Sequence, residues 1–245
     1  MRARLAAAFG AAALVFTGVV VAADAAPAGG IAINPVRLEL APGQKGAALT
    51  LTNEGAARRT VQAEVVAWTQ SAGADVYVPT QDLLVNPPLF FLAPGASQVV
   101  RVGRPRPAAA SAAERCYRIY FSEVPPAPGA EDAGSLRLAL RIGIPLFESP
   151  AQVHRELAWT ATVGPDGVAQ LSVANTGNVH ARIALLTLVD GAGHTVATVD
   201  GFSYVLAGQS HQWQVQLPTG PLPGLRARME LEPGRAEFPV ALRTP

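Results

Sequence analysis

The stretch Gly134–Phe147, "GSLRLALRIGIPLF", reads as two interleaved sequences. Its even positions are Leu136, Leu138, Leu140, Ile142, Ile144 and Leu146. Its odd positions are Arg137, Ala139, Arg141, Gly143, Pro145 and Phe147. Successive side chains on a β-strand point to opposite faces, so as a strand this segment has one aliphatic face and one basic or small face. Two readings of the aliphatic face stand open: it closes the core of its own domain, or it fills a groove on another protein. Alternation alone fits both. The run is long for a strand, whose usual length is about five or six residues. It also follows the Gly/Pro/Ala-rich loop "PPAPGAEDAGS". Both features point to a first half that extends beyond the domain's own sheet.

Working outward, strand and turn signals dominate. "IAINPVRLEL", "AALTLTNEG", "RTVQAEVVAWTQ", "LFFLAPGASQVVRVG" and "CYRIYFSEVPP" are rich in β-branched, aliphatic and aromatic residues, and Gly, Pro and Asn punctuate them. No long segment shows helical period with caps. The expected fold class is all-β, built of short antiparallel strands in sandwiches. A weak internal repeat predicts two such domains. "LTLTNEGAARRTVQAEVVAW" and "LSVANTGNVHARIALLTLVD" each hold an alternating strand, an Asn-x-Gly turn (Asn53–Gly55 and Asn175–Gly177) and a second alternating strand. Asn and Gly tolerate positive φ, which suits them to such turns. Three segments are expected: a signal peptide over 1–25, a first domain over 26–149 carrying the opening stretch, and a second over 150–245.

The signal peptide follows from the start of the chain. Arg2 and Arg4 precede an apolar run from Leu5 to about Ala23, and Ala23-Asp24-Ala25 places small residues two apart. That pattern favours cleavage over retention as a membrane anchor. No later stretch is long and apolar enough to span a membrane as a helix. Net charge is +1, which points to neither nucleic acid nor an anionic membrane surface as a partner. Cys116 is the single cysteine, so no disulfide forms within the chain and each domain is held by its core. Within "ERCYRIYF" it reads as a small buried apolar residue.

Chemistry-bearing patterns are sparse. His154, His180, His194 and His211 are scattered, without HExxH or a His/Cys neighbour at metal-ligand spacing. GxSxG, phosphate-cradling and dinucleotide signatures are missing from the sequence. Asp166-Gly167 and Asp190-Gly191 suit tight hairpins. Glu123 has no second carboxylate placed to work with it. Trp68, Trp159 and Trp213 read as sheet anchors. The expectation is a protein with no catalysis, no metal and no cofactor.

Taken in order, "INPVRLELAPGQ", "LTLTNEG", "NPPLFFLAPGASQVVRV", "YRIYFSEVPP" and "LRLALRIGIPLF" resemble the periplasmic chaperones of the chaperone–usher pathway, which assemble pili and fimbriae. The match covers roughly 31–150. "RIGIPLF", "WTQ" and "YRIYFSEVPP" are most similar to the archaic branch that serves spore-coat-U-type pili. The resemblance implies two immunoglobulin-like sandwiches in an L, and a partner subunit that lacks its own last strand. The chaperone lends a strand to that subunit by donor-strand complementation and hands it to an outer-membrane usher.

On this reading Leu136, Leu138, Leu140, Ile142 and Ile144 bind the subunit groove, because β-augmentation needs backbone pairing plus an apolar side chain at every second residue. Burying the last four contributes on the order of 6–12 kcal/mol before ordering costs. The resemblance also implies a basic pair holding the subunit's C-terminal carboxylate. Arg37 matches its first member. The second position falls on Pro145, which leaves Arg101, Arg118 and Arg141 as replacements, Arg141 being the one best read as a solvated strand arginine. Glu123 matches the acidic member of an interdomain salt bridge whose basic member is replaced by Ser149, so Arg155 or another cation is its expected partner. The rival function is a secreted or membrane-anchored two-domain sandwich that binds a partner by its loops, without strand donation.

Overall fold

A computed structural model describes residues 30–106, 110–126, 138–218, 220–230 and 234–243. The expected signal peptide, the first part of the opening stretch and Leu136 lie outside the described residues. Among the described residues every regular element is a β-strand.

The first ten strands build two facing sheets. One has the order β1-β3-β8-β6, with β1 at Ile31–Asn34, β3 at Gly46–Asn53, β6 at Leu84–Asn86 and β8 at Ser97–Gly103. The other has the order β2-β10-β9-β4-β5, with β7 also paired to β4. Here β2 is Leu38–Leu40, β4 Arg59–Ser71, β5 Ala74–Pro79, β7 Leu89–Leu92, β9 Arg115–Glu123 and β10 Arg141–Glu148. Alternate residues of both sheets point inward: Leu49 and Leu51, Val100 and Val102, Ile119 and Phe121, Ile144 and Leu146 form one buried cluster. This is the period-two burial of a sandwich.

The remaining strands are β11 (Leu157–Val163), β12 (Val168–Asn175), β13 (Ala181–Val189), β14 (Thr195–Val205), β15 (Ser210–Gln216), β16 (Arg226–Glu230) and β17 (Arg235–Arg243). Their order is β14-β13-β16-β17-β11-β12-β15. β17 pairs with β16 over its first half and, in parallel, with β11 over its second, so it joins the two layers. A second cluster fills this sandwich, with Trp159 stacked on Trp213 at 5.9 Å.

The internal repeat is repeated in atomic detail, for a reason other than backbone freedom. Asn53 and Asn175 are buried polar residues. Asn53 Nδ2 donates to the Ala57 and Leu92 carbonyls at 2.8 and 3.1 Å, and its Oδ1 accepts from the Gly55 amide at 3.0 Å. Asn175 Nδ2 donates to the Val179 and Val205 carbonyls at 2.8 and 2.9 Å, and its Oδ1 accepts from the Gly177 amide at 3.0 Å. Each asparagine staples its turn to a neighbouring strand, which satisfies backbone groups that would otherwise be buried unpaired. Gly177 is required by crowding: a Cβ there would lie 2.5 Å from the His154 carbonyl oxygen.

Candidate functional site

β10 is held along one edge by β9, from Arg141↔Ser122 to Glu148↔Arg115. The ladder continues upstream, where the Glu123 amide donates to the Leu140 carbonyl at 2.8 Å. The opposite edge is different. β2 covers it only at Leu146, Phe147 and Glu148. Among the described residues no strand pairs with that edge from Arg141 to Pro145. The root of β10 is also pinned electrostatically, because Glu148 pairs with Arg104 and with Arg115.

The aliphatic face changes character along this strand. Leu146 is 0% exposed, Ile144 4%, Ile142 partly buried, Leu140 40% and Leu138 84%. The inward face therefore runs past the end of its own core. This corrects the expectation for Ile144. It sits opposite Ile119 in the β9 register and is sealed in its own sandwich, because Leu38, Leu40 and the facing sheet close over that point. Ile142 packs against the same cluster. The surplus lies in Leu138 and Leu140. The other face carries Arg141, stacked 4.0 Å over Tyr120 and paired with Glu64 at 2.8 Å, and Gly143, where a Cβ would press on Tyr120 and Arg118 at 3.0 and 3.2 Å.

Beside β10 a cleft of about 560 Å³ opens between the sandwiches. Arg37 enters from the start of β2, Arg118 from β9, and Arg182 from β13. Arg118 is the register partner of Pro145. Its guanidinium lies 4.1 Å over the Trp68 ring and donates to the Tyr77 hydroxyl at 3.4 Å, which fixes the side chain. Tyr77 lies alongside, its hydroxyl pushed up to about 12 by burial and by the bond it donates to Asp75. Arg37 pairs with Glu39 at 3.1 Å. Arg101 is not part of this group. It is exposed on β8, opposite Ala48 and Asn86, in the other sheet. Arg182 had no sequence signal, because its place depends on how the second sandwich docks.

Glu123 is a second correction. It pairs with Arg59 of β4 at 2.8 Å, inside the first sandwich, because the β4–β9 register brings these strand ends together. The carboxylate that crosses the joint is Glu114. It accepts from the His180 amide at 2.9 Å and pairs with His180 Nδ1 at 2.7 Å. The His180 ring stacks on Phe147 at 3.6 Å and 15°. Trp68, Cys116, Phe147 and Leu206 complete a small apolar cluster there. Gln70 adds two bonds across the joint, donating to the Tyr204 carbonyl at 2.9 Å and accepting from the Leu206 amide at 3.0 Å. Burial and the neighbouring Glu114 push the Cys116 thiol well above its ordinary range, which makes it inert packing. Among the described residues no three His, Cys, Asp or Glu side chains group as metal ligands.

A sequence profile described as "Pili and flagellar-assembly chaperone, PapD N-terminal domain" matches residues 30–154. The chain belongs to this family of pilus-assembly chaperones. A probable fimbrial chaperone LpfB of Escherichia coli O157:H7 is 26% identical over 125 residues, 51% of each protein, so the chain spans about half the length of the curated relative it matches. Solved structures share the two-sandwich fold. One is a chain of the CsuC–CsuE chaperone–tip adhesion subunit pre-assembly complex from archaic Csu pili of Acinetobacter baumannii, with TM-score 0.66, 19% identity and coverage of 87% of this chain and 99% of that one. Another is the E. coli chaperone DraB, with TM-score 0.59, 23% identity and coverage of 88% and 97%. A third is a chain of the Salmonella enterica SafA pilin–SafB chaperone complex, with TM-score 0.60, 21% identity and coverage of 86% and 96%.

Proposed function

We propose that this pilus-assembly chaperone works in the periplasm, binds and stabilises pilus subunits by lending them β10, and delivers them to an outer-membrane usher. One observation carries the reading: the upstream half of β10 has an open backbone edge, and the aliphatic side chains continuing from it, Leu140 and Leu138, have no core of their own to enter. An incomplete sandwich offers the complement, an apolar groove flanked by unpaired strand edges, and both costs are removed when a strand is added. The apolar period also fixes register, since a slip of one residue turns Arg141 and Gly143 into the groove. Two relatives of the same fold were solved with a tip adhesion subunit or a pilin. Binding of this kind uses surface burial and charge, and it involves no catalytic step or cofactor.

Arg37 and Arg118 are the proposed anchor for the subunit's C-terminal carboxylate. Arg118 lies one strand over from Pro145 and supplies the charge that a proline cannot. Paired guanidinium donors match the geometry of a carboxylate. Export is proposed to follow cleavage of 1–25.

The test is co-expression with a small β-rich subunit from a neighbouring gene, purification from the periplasm, and photo-crosslinking from position 140. A chaperone–subunit adduct is expected, with N-terminal sequencing placing the mature start near Ala26. A complex that forms but crosslinks only from the loops overturns strand donation and favours the loop-binding rival. Retention of residues 1–25 overturns the cleavage.

A further inference from the structure

We propose that the cleft between the sandwiches also reads the last side chain of the strand it holds, selecting a chain terminus that ends in a bulky apolar residue. This rests on the reading that a partner's terminal carboxylate enters the cleft. Its volume, about 560 Å³, far exceeds what a carboxylate fills, since that group takes little more room than one or two waters of about 30 Å³ each. Charge sets the first requirement: Arg37, Arg118 and Arg182 line the cleft, and among the described residues lining it none is acidic, Glu39 meeting Arg37 from beside it. An anion is therefore the complement.

The rest of the lining sets the second requirement. Pro35 and Val36 form one wall and Phe202 and Tyr204 the other, with Pro145 between them. Val36 is 69% exposed and Phe202 61%, so each leaves most of its apolar surface uncovered at the same opening. Phe202 is held in place, with the Arg182 guanidinium 5.2 Å over its ring and Tyr204 edge-on at 5.9 Å. A C-terminal residue carries its carboxylate and its side chain on one Cα. With the carboxylate among the arginines, the side chain has Val36 and Phe202 within reach. An apolar side chain there covers both. Glycine covers neither, and a lysine brings a fourth positive charge.

The mature full chain, isotopically labelled, is titrated by NMR with N-acetyl-Gly-Gly-Phe, its C-terminal amide, N-acetyl-Gly-Gly-Gly and N-acetyl-Gly-Gly-Lys. The Phe probe is expected to bind about tenfold or more tighter than the Gly probe, the scale on which an apolar pocket discriminates. The Lys probe is expected to bind weakest of the three acids. Phe202→Ala is expected to narrow the Phe-to-Gly ratio to about threefold or less. If that variant fails to fold, Val36→Ser tests the facing wall in the same way. Equal affinity for the Phe and Gly acids, with the amide much weaker, overturns side-chain selection and leaves the carboxylate reading standing. An amide that binds as well as its acid overturns the carboxylate reading. No saturable binding of the Phe acid overturns the selection.

Discussion

β10 and β17 occupy matching places, yet their edges are treated in opposite ways. Each is the last strand of its sandwich, and each turns at its end to run parallel with that sandwich's early strand, β2 or β11. On β17 the inward residues Phe238 and Val240 pack into the second core. Its outer face is charged: Glu237 pairs with Arg226 at 3.2 Å and Arg228 at 2.6 Å, and Arg235 with Glu230 at 3.1 Å. Charge on an edge strand discourages another strand from joining it. On β10 the carboxylate lies at the closed end, as Glu148, the open half carries a single ion pair, Arg141 with Glu64, and the inward face continues upstream into the exposed Leu140 and Leu138. The difference is one of pairing and side-chain chemistry: ion pairs to β16 along the first half of β17, exposed leucines leading into the unpaired half of β10. On the proposed function, the same architecture is guarded in one sandwich and offered in the other.

Four tests break or sharpen that contrast. The largest effect is expected from Leu138→Glu combined with Leu140→Glu. Each leucine contributes about 1.5–3 kcal/mol when buried in a partner, so subunit capture in a pull-down falls by about a hundredfold or more. Unfolding in urea stays within about 0.5 kcal/mol of the parent, as for other surface changes. A fall in stability comparable to that of a core mutant would erase the distinction between the two halves of β10. Leu146→Ala, on the closed half, is expected to lower unfolding free energy by about 2–5 kcal/mol through the cavity it leaves, read from the urea midpoint. Asn53→Ala and Asn175→Ala each orphan buried carbonyls and an amide, at about 1–3 kcal/mol apiece. Near-equal shifts in thermal midpoint would confirm that the sandwiches share one staple.

The smallest effect concerns the guard on β17. The hydrogen bond from Arg228, and then the charges of Arg228 and Arg226, hold the Glu237 carboxyl below its ordinary value near 4.5. A depressed native value contributes stability that is present above the unfolded value and lost as pH falls through the native one. Glu237→Gln should therefore flatten the acid limb of the urea midpoint between pH 5 and pH 2 while moving it little at pH 7. An unchanged acid limb would show that the pairing does nothing in solution.

Local pattern and long-range pattern were not equally legible. The period-two burial of β10, the strand-rich chain and the paired Asn-x-Gly turns are encoded in neighbouring residues, so they could be read directly. The point where the Leu/Ile face stops being core could not. It is set by the facing sheet, whose Leu49, Leu51, Val100 and Val102 share one buried cluster with Leu146 and Ile144 and with the partly buried Ile142, while Leu140 and Leu138 lie past it. The pairing of Glu123 with Arg59 depends on the β4–β9 register, and that of Glu114 with His180 on how two domains dock. Neither leaves a spacing in the sequence. Phe147, on the basic or small face by count, lies in the joint because its face meets the second sandwich. Arg118 could be named as a candidate, but its proximity to Arg37 and Arg182 required the cleft itself.

Pro145 stands at the frontier between the open and closed parts of β10, immediately before the first residue that β2 covers. Proline has no amide hydrogen. On the proposed strand loan, a foreign strand pairing along the vacant margin from Leu138 finds no amide donor at Pro145 and meets β2 at the next step. In that proposal the imino ring acts as a ruler mark: it caps the length of the loan and keeps the lender's own seam from being unpicked.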